Sequence, residues 1–153
     1  MATLDEDRTL LVLDDADCRR LLAGQGVGRL GFSDGALPAI IPVSYFLRGD
    51  DVLIPADQRN PVVAAVRRAV VVFEVGVLDP VSRSGWSVSA VGPSRVITDP
   101  RAIAAIDAGG LALGPPAPSR CYISVQPGLL RGWRMGPPWD GHDSTWAAHS
   151  AAG

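Results

Sequence analysis

LPAIIPVSYFLRGDDVLIPADQRNPVVAAVRR, residues Leu37–Arg68, is the stretch whose reading decides the fold. A long apolar run, Leu37–Leu47, meets a tight polar turn, Arg48-Gly49-Asp50-Asp51. A second apolar run, Val52–Ile54, follows. Glycine in a short turn between two apolar runs is a hairpin signal. Pro38 and Pro42 interrupt the first strand, so part of it must lie on an edge or at a bulge. A polar loop, Pro55–Arg59, then leads into a helix expected over residues 61–69. Asn60 is a good N-cap, and Pro61 stands at the first helical position, where proline is tolerated best. Arg59 thus lies beside unpaired backbone N–H groups, an arrangement suited to a phosphate. The same arginine reads equally as a solvated side chain at an ordinary helix start.

Upstream, residues 1–12 form an N-terminal lead, with Thr9–Leu13 able to pair as a short edge strand. Asp14 or Asp15 caps a helix that runs to Ala23, and Gly24 ends it. Cys18 on that helix reads as a packing residue. Val27–Phe32 is glycine-rich, but a dinucleotide-binding loop needs a strand before it and a helix after it. Here a helix precedes and a hairpin follows, so the segment is a strand closed by a turn at Ser33-Asp34-Gly35.

Downstream, Val70–Val77 is a strand by its β-branched content. Glu74, one of two glutamates in the chain, falls in its middle. A carboxylate there calls for an arginine partner or a ligand. After a loop at Asp79–Ser84, Gly85–Gly92 alternates, with Trp86, Val88 and Ala90 on one face and Ser87, Ser89 and Val91 on the other. Arg95-Val96-Ile97 continues the strand. Asp99 and Pro100 open another helix, which ends at Gly109-Gly110, and Pro115–Pro118 is a stiff linker. Cys121–Val125 and Leu129–Trp133 read as a last hairpin around Gln126-Pro127-Gly128. Residues 136–153 form a flexible C-terminal tail. Six or seven strands, mostly in hairpins, with three short helices predict a mainly β (α+β) antiparallel barrel with helices outside.

Composition sets further bounds. The 153 residues suit one domain, residues 13–135, and 47% hydrophobic content supports a core. A net charge of -2 argues against a nucleic-acid partner. All fourteen basic residues are arginine, which excludes lysine-based catalysis within this chain. Two separated cysteines and no apolar leader or membrane-length run predict a cytoplasmic protein with free thiols. The only histidines, His142 and His149, lie in the tail. With no histidine in the body of the chain and no metal-ligand cluster, any enzymatic activity must be carried by a cofactor.

These segments, in this order and spacing, resemble the pyridoxamine 5′-phosphate oxidase-like, FMN-binding split-barrel family. The resemblance rests on VGRLGF (Val27–Phe32), IPVSY (Ile41–Tyr45), the loop and helix start Ile54–Pro61, VFEV (Val72–Val75), GWSV (Gly85–Val88) and RVITDP (Arg95–Pro100). It implies a six-stranded antiparallel split β-barrel with short flanking helices, a homodimer, and FMN at the subunit interface. By position, Pro42, Val43, Ser44 and Tyr45 would run along the flavin ring, with Ile54 and Ala56 under the ring or ribityl chain. Arg59 would meet the phosphate, assisted by Asn60, and its loss would weaken FMN by roughly ten- to a hundredfold. Trp86 and Ser87 match a strand that often contacts the flavin. Relatives in the superfamily also use the deazaflavin F420, which is the alternative cofactor, or haem. A haem ligand could come only from the tail histidines. The substrate-binding arginine and histidine motif of the oxidase itself has no counterpart here. The resemblance therefore implies an oxidoreductase acting on a small organic substrate, or a flavin-binding dimer without turnover, rather than a pyridoxamine phosphate oxidase.

Overall fold

The computed structural model describes residues 2–5, 8–111 and 118–136. The segment 112–117, which holds most of the expected proline-rich linker, and the tail 137–153, with both histidines, lie outside the described residues. Ten strands and three α-helices are described, in two compact units. One unit comprises Met1–Gln25, Val75–Ser89 and Leu130–Gly153; the other comprises Gly26–Glu74 and Ala90–Leu129.

In the first unit, helix α1 (Asp15–Ala23) begins where the Asp14 carboxylate accepts the Asp17 N–H at 2.8 Å. It ends as the Gly24 N–H donates to the Leu21 carbonyl. Its apolar side buries Cys18, Leu21 and Leu22. Strands β1 (Ala2–Asp5) and β2 (Arg8–Val12) occupy the expected lead, so the edge strand is β1 and not the Thr9–Leu13 segment. On its other side β2 pairs antiparallel with β10 (Leu129–Gly136). A Cβ at Gly132 would lie 2.5 Å from Cys18 Sγ, so only glycine lets α1 settle on β10. The unit also holds the facing ends of β7 (Val70–Asp79) and β8 (Ser84–Ile97). The Asp79 carboxylate accepts the Val81 N–H to shape the turn between them.

The second unit contains two groups of strands. In the first, β3 (Val27–Asp34) pairs with β4 (Leu37–Ser44) on one side and with the start of β7 on the other. Among the described strands β4 pairs only with β3, so both prolines sit on an edge, as their missing N–H requires. In the second group, β5 (Phe46–Arg48), β6 (Asp51–Asp57), β9 (Arg120–Val125) and the end of β8 follow one another in that order. The β5–β6 turn places Gly49 at φ 60°, in the left-handed region. Leu53, Ile106 and Tyr122 form a buried cluster under helix α3 (Pro100–Ile106), with Phe46, Ile97 and Ile103 against it.

The mainly β, antiparallel fold class stands, and among the described residues the strands number ten rather than the expected six. The long run Leu37–Leu47 breaks at Tyr45, whose ring is buried against Phe73 at 4.5 Å and whose N–H donates to the Gly26 carbonyl. Pro55–Asp57 is strand rather than loop, because β9 pairs along it to Asp57. Pro55 fits there because β5 reaches only as far as Leu53. Helix α2 is Pro61–Ala65, shorter than expected. Beyond it the Ser94 hydroxyl donates to the carbonyls of Val66 and Ala69, and Arg68 turns to φ 56°. Cys121–Val125 and Leu129–Trp133 are not a hairpin: β9 pairs with β6 and β8, and β10 pairs with β2 and β8. The Gln126–Gly128 bend is instead pinned to β8, with the Gln126 N–H on the Pro93 carbonyl and the Gly128 N–H on the Val91 carbonyl. Among the described residues, no helix is long and apolar enough to cross a membrane.

Candidate functional site

The second unit carries a groove of about 510 Å³. One wall is the end of β4, Ile41–Ser44; the floor is the end of β6, Ile54–Asp57. Asn60, Val62 and Val63 come from the start of α2, and Ser119, Arg120 and Ile123 from the start of β9. The volume lies within the roughly 300–1,000 Å³ of small-molecule sites. So does the character of the lining, mostly apolar with a few polar groups gathered together.

Those polar groups are organised around Asp57. Asp57 and Arg120 are register partners across β6 and β9. The Asp57 carboxylate accepts the Arg59 N–H at 2.8 Å, Arg59 Nε at 3.0 Å, Arg59 Nη2 at 2.6 Å and the Ser119 hydroxyl at 2.9 Å. The Arg59 guanidinium, by donating to it, holds this carboxyl well below the usual carboxylate range, with the Arg59 N–H next in effect. The same pairing pushes the Arg59 pKa up. Gln58 ties the neighbouring chain in place, its N–H donating to the Ser119 carbonyl and its Nε2 to the Arg120 carbonyl. The Arg120 side chain is only 10% exposed, and its Nη1 lies 3.6 Å from Asp107 Oδ1. That same oxygen accepts the Tyr122 hydroxyl. Burial, then this bond to Asp107, pushes the Tyr122 pKa up.

Six of the residues singled out by sequence line the groove: Pro42, Val43, Ser44, Ile54, Ala56 and Asn60. Asn60 uses its side-chain oxygen to accept the Val62 N–H at 3.0 Å, as an N-cap does. The other four do not line it. Tyr45 is buried against Phe73. Arg59 extends outward, 81% exposed, in its pairing with Asp57. Trp86, buried, and Ser87 belong to the first unit. Sequence reasoning missed Ser119 and Arg120. Their one signal is a charged residue at the head of an otherwise apolar strand, SRCYISV. Glu74 finds the arginine partner that its position calls for, with Arg29 Nη2 at 2.7 Å from Oε2. Among the described residues no cluster of metal-ligating side chains exists. Cys18 and Cys121 are both free and buried.

Comparison with known proteins places this geometry in context. Residues 14–124 match the family described as pyridoxamine 5′-phosphate oxidase. Uncharacterized protein Rv0080 of Mycobacterium tuberculosis is 36% identical over 102 residues, covering 63% of this chain and 67% of that protein. A putative pyridoxamine 5′-phosphate oxidase from Corynebacterium glutamicum shares the fold, with a TM-score of 0.68 at 18% identity over 84% of this chain and 99% of the other. The FAD binding protein from Mycobacterium smegmatis does so with a TM-score of 0.64 at 23% identity, over 82% and 97%.

Proposed function

The chain belongs to the pyridoxamine 5′-phosphate oxidase family, and we propose that it is a flavoprotein whose groove takes FMN and which oxidises or reduces a small organic molecule. The observation that carries the reading is the groove itself. It joins the backbone of Pro42–Ser44 to an apolar floor at Ile54 and Ala56, and ends in the polar group of Asn60, Ser119 and Arg120. A flavin nucleotide has the matching division: a flat, largely apolar ring system with polar edges, and an anionic phosphate at the end of a polar chain. Pro42, Val43 and Ser44 would flank the ring, Ile54 and Ala56 would exclude water from one side of it, and the arginine-bearing end would receive the phosphate. Bound flavin would supply the hydride or electron transfer that no side chain of the described residues provides.

The same reading includes a homodimer. Val27, Ile40, Val70 and Val72 stand on one face of the β4–β3–β7 sheet, where Ile40 and Val72 are both register partners of Gly31. Ile40 is 70% and Val70 71% exposed. An apolar face of this kind is expected to be covered by a second copy.

A second reading, FAD in place of FMN, is favoured by the name of the similar Mycobacterium smegmatis protein. The test is the colour and cofactor of the purified protein. A flavin absorption spectrum, with FMN found by mass spectrometry after extraction, is the expected result. FAD or F420 in the extract replaces the cofactor assignment. A colourless protein that takes up none of the three overturns the reading. Bleaching by a nicotinamide donor, with reoxidation by an added acceptor, separates an oxidoreductase from a carrier.

A further inference from the structure

The two faces of β9 serve different neighbours. Cys121 and Ile123 share a face with their register partners Ala56 and Ile54, the groove floor. Arg120 and Tyr122, at the alternate positions, share the other face, where α3 packs. There the Tyr122 hydroxyl donates to Asp107, and Arg120 Nη1 stands 3.6 Å from the same Asp107 oxygen. The Arg120 side chain also bonds to Tyr122. Asp107 opens a turn of π-helix, Asp107–Leu111, directly after α3, and it does not line the groove. We propose that Asp107 is a positioning residue for the groove. By holding Tyr122 and Arg120 it fixes the head of β9, and with it the polar wall formed by Ser119 and Asp57. The inference rests on the flavin reading above for the ligand that this wall meets.

The strand pairing shows why the head of β9 needs a hold. From Val125 to Tyr122, β9 has β8 on one edge and β6 on the other. At Cys121 and Arg120 only β6 remains among the described strands, because β8 stops at Ile97, opposite Tyr122. The chain that leaves β8 turns into α3, which Asp99 caps by accepting the Ala102 N–H at 3.0 Å. Ile103 and Ile106 of that helix pack with Tyr122, and Asp107 adds the polar bonds. The Arg120 side chain is 10% and that of Asp107 23% exposed, so water screens their contact little. From the head of β9 the hold passes to the groove by direct bonds. The Ser119 hydroxyl donates to Asp57 at 2.9 Å, and the Gln58 N–H donates to the Ser119 carbonyl at 2.8 Å. Removing the Asp107 carboxylate takes away the charge opposite a buried guanidinium, which then has reason to move and to carry Ser119 with it.

The experiment is calorimetric titration of cofactor-free protein with FMN and with lumiflavin, the ring without the ribityl chain and phosphate. The readout is the preference for FMN over lumiflavin, which reports the polar wall and not the apolar floor. Asp107→Ala is expected to lower that preference by about threefold or more, a part of one hydrogen bond to a charged group. Lumiflavin affinity is expected to stay within about twofold. Asp107→Asn, which keeps an oxygen for the Tyr122 hydroxyl, is expected to recover part of the loss. The effects of Asp107→Ala and Ser119→Ala are expected to overlap in the double variant, because one residue acts by placing the other. If Asp107→Ala does not fold, as judged by circular dichroism, Asp107→Asn and Tyr122→Phe carry the test, each with a smaller loss of the same preference. A folded Asp107→Ala with the preference unchanged overturns the proposal. So does equal weakening of both ligands, which is a general loosening, or effects that simply multiply with those of Ser119→Ala. On the fallback route, unchanged preference in both variants overturns it. If wild type binds neither flavin, the flavin reading fails and the proposal fails with it. If wild type binds both equally, flavin binding stands and the positioning role is refuted.

Discussion

Arg29 and Glu74 face each other across β3 and β7 as register partners, with their side chains meeting at 2.7 Å. They are an ion pair on a sheet face that also exposes Val27, Ile40, Val70 and Val72, with Pro38 and Pro42. Partly exposed, the pair contributes modestly to stability. Glu74→Ala should cost about 0.5–1 kcal/mol, and a double-mutant cycle with Arg29→Ala should return a coupling of the same order. Urea denaturation at low and high salt checks this, with the coupling shrinking as salt rises.

The apolar residues around that pair predict assembly. Sedimentation should find a dimer at micromolar concentration. Ile40→Asp and Val70→Asp should each shift it toward monomer, because a charge placed on a buried apolar face is left without a partner. A monomeric wild type would sink the dimer.

Gly92 should tolerate no side chain. A Cβ there would lie 1.7 Å from the Gln126 carbonyl oxygen and 3.0 Å from the Gly128 nitrogen. Both atoms are backbone, so neither can rotate away. Gly92→Ala should destabilise by on the order of 3 kcal/mol, the scale of severe overpacking. Thermal denaturation against wild type reads it directly. Gly26→Ala, where nothing lies within 4 Å, is the control.

The Asp57–Arg59 pairing makes two predictions. Arg59→Ala should weaken FMN by less than the ten- to hundredfold expected of a free loop arginine. The second prediction concerns acid. Because the folded carboxyl titrates below the ordinary Asp value of about 3.9, its contribution is fully present above that value. It is lost only as the pH falls through the depressed folded one. The Asp57 carboxyl carbon resonance should therefore keep its ionised position as the pH is lowered to about 3.9. In Arg59→Ala it should begin to protonate at higher pH.

Both thiols should be inert in the folded protein. Burial is the largest cause that raises the Cys18 and Cys121 pKa values, with nearby aspartates adding to it. An alkylating reagent at neutral pH should label neither until denaturant is added. Rapid labelling of either in native protein would contradict the packing described.

The elements with local signatures were readable in the sequence. The caps Asp14, Asn60 and Asp99 each accept a backbone N–H where a helix begins. The alternation in β8 puts Trp86, Val88 and Ala90 in the core. Pro42–Ser44, Ile54 and Ala56 on the groove were singled out by the family resemblance, by position, and not by a local pattern. The groove's polar end was not, because it arises from the pairing of β6 with β9. Ser119 and Asp57 are 62 residues apart, and no local pattern specifies that register. Arg59 left the lining for a local reason: its guanidinium forks onto the carboxylate of Asp57, two residues earlier. The expected final hairpin failed for a nonlocal reason: Gln126-Pro127-Gly128 has turn residues, yet its amides go to β8 rather than across a turn.

The two prolines of β4 also bear on how copies of this chain can meet. Pro38 and Pro42 lack the amide hydrogens that an added strand would need, and they alternate with Ile40 along one side of the strand. Half of the outward donors from Pro38 to Ser44 are thus missing. A neighbouring molecule that tried to extend the sheet would find a broken ladder, so templated growth into fibres stalls at this edge. Contact through the apolar face, in the dimer proposed above, would be complete after a single partner docks. With growth along one direction blocked and closure along the other open, that dimer would bias a concentrated solution toward finite assemblies over aggregates.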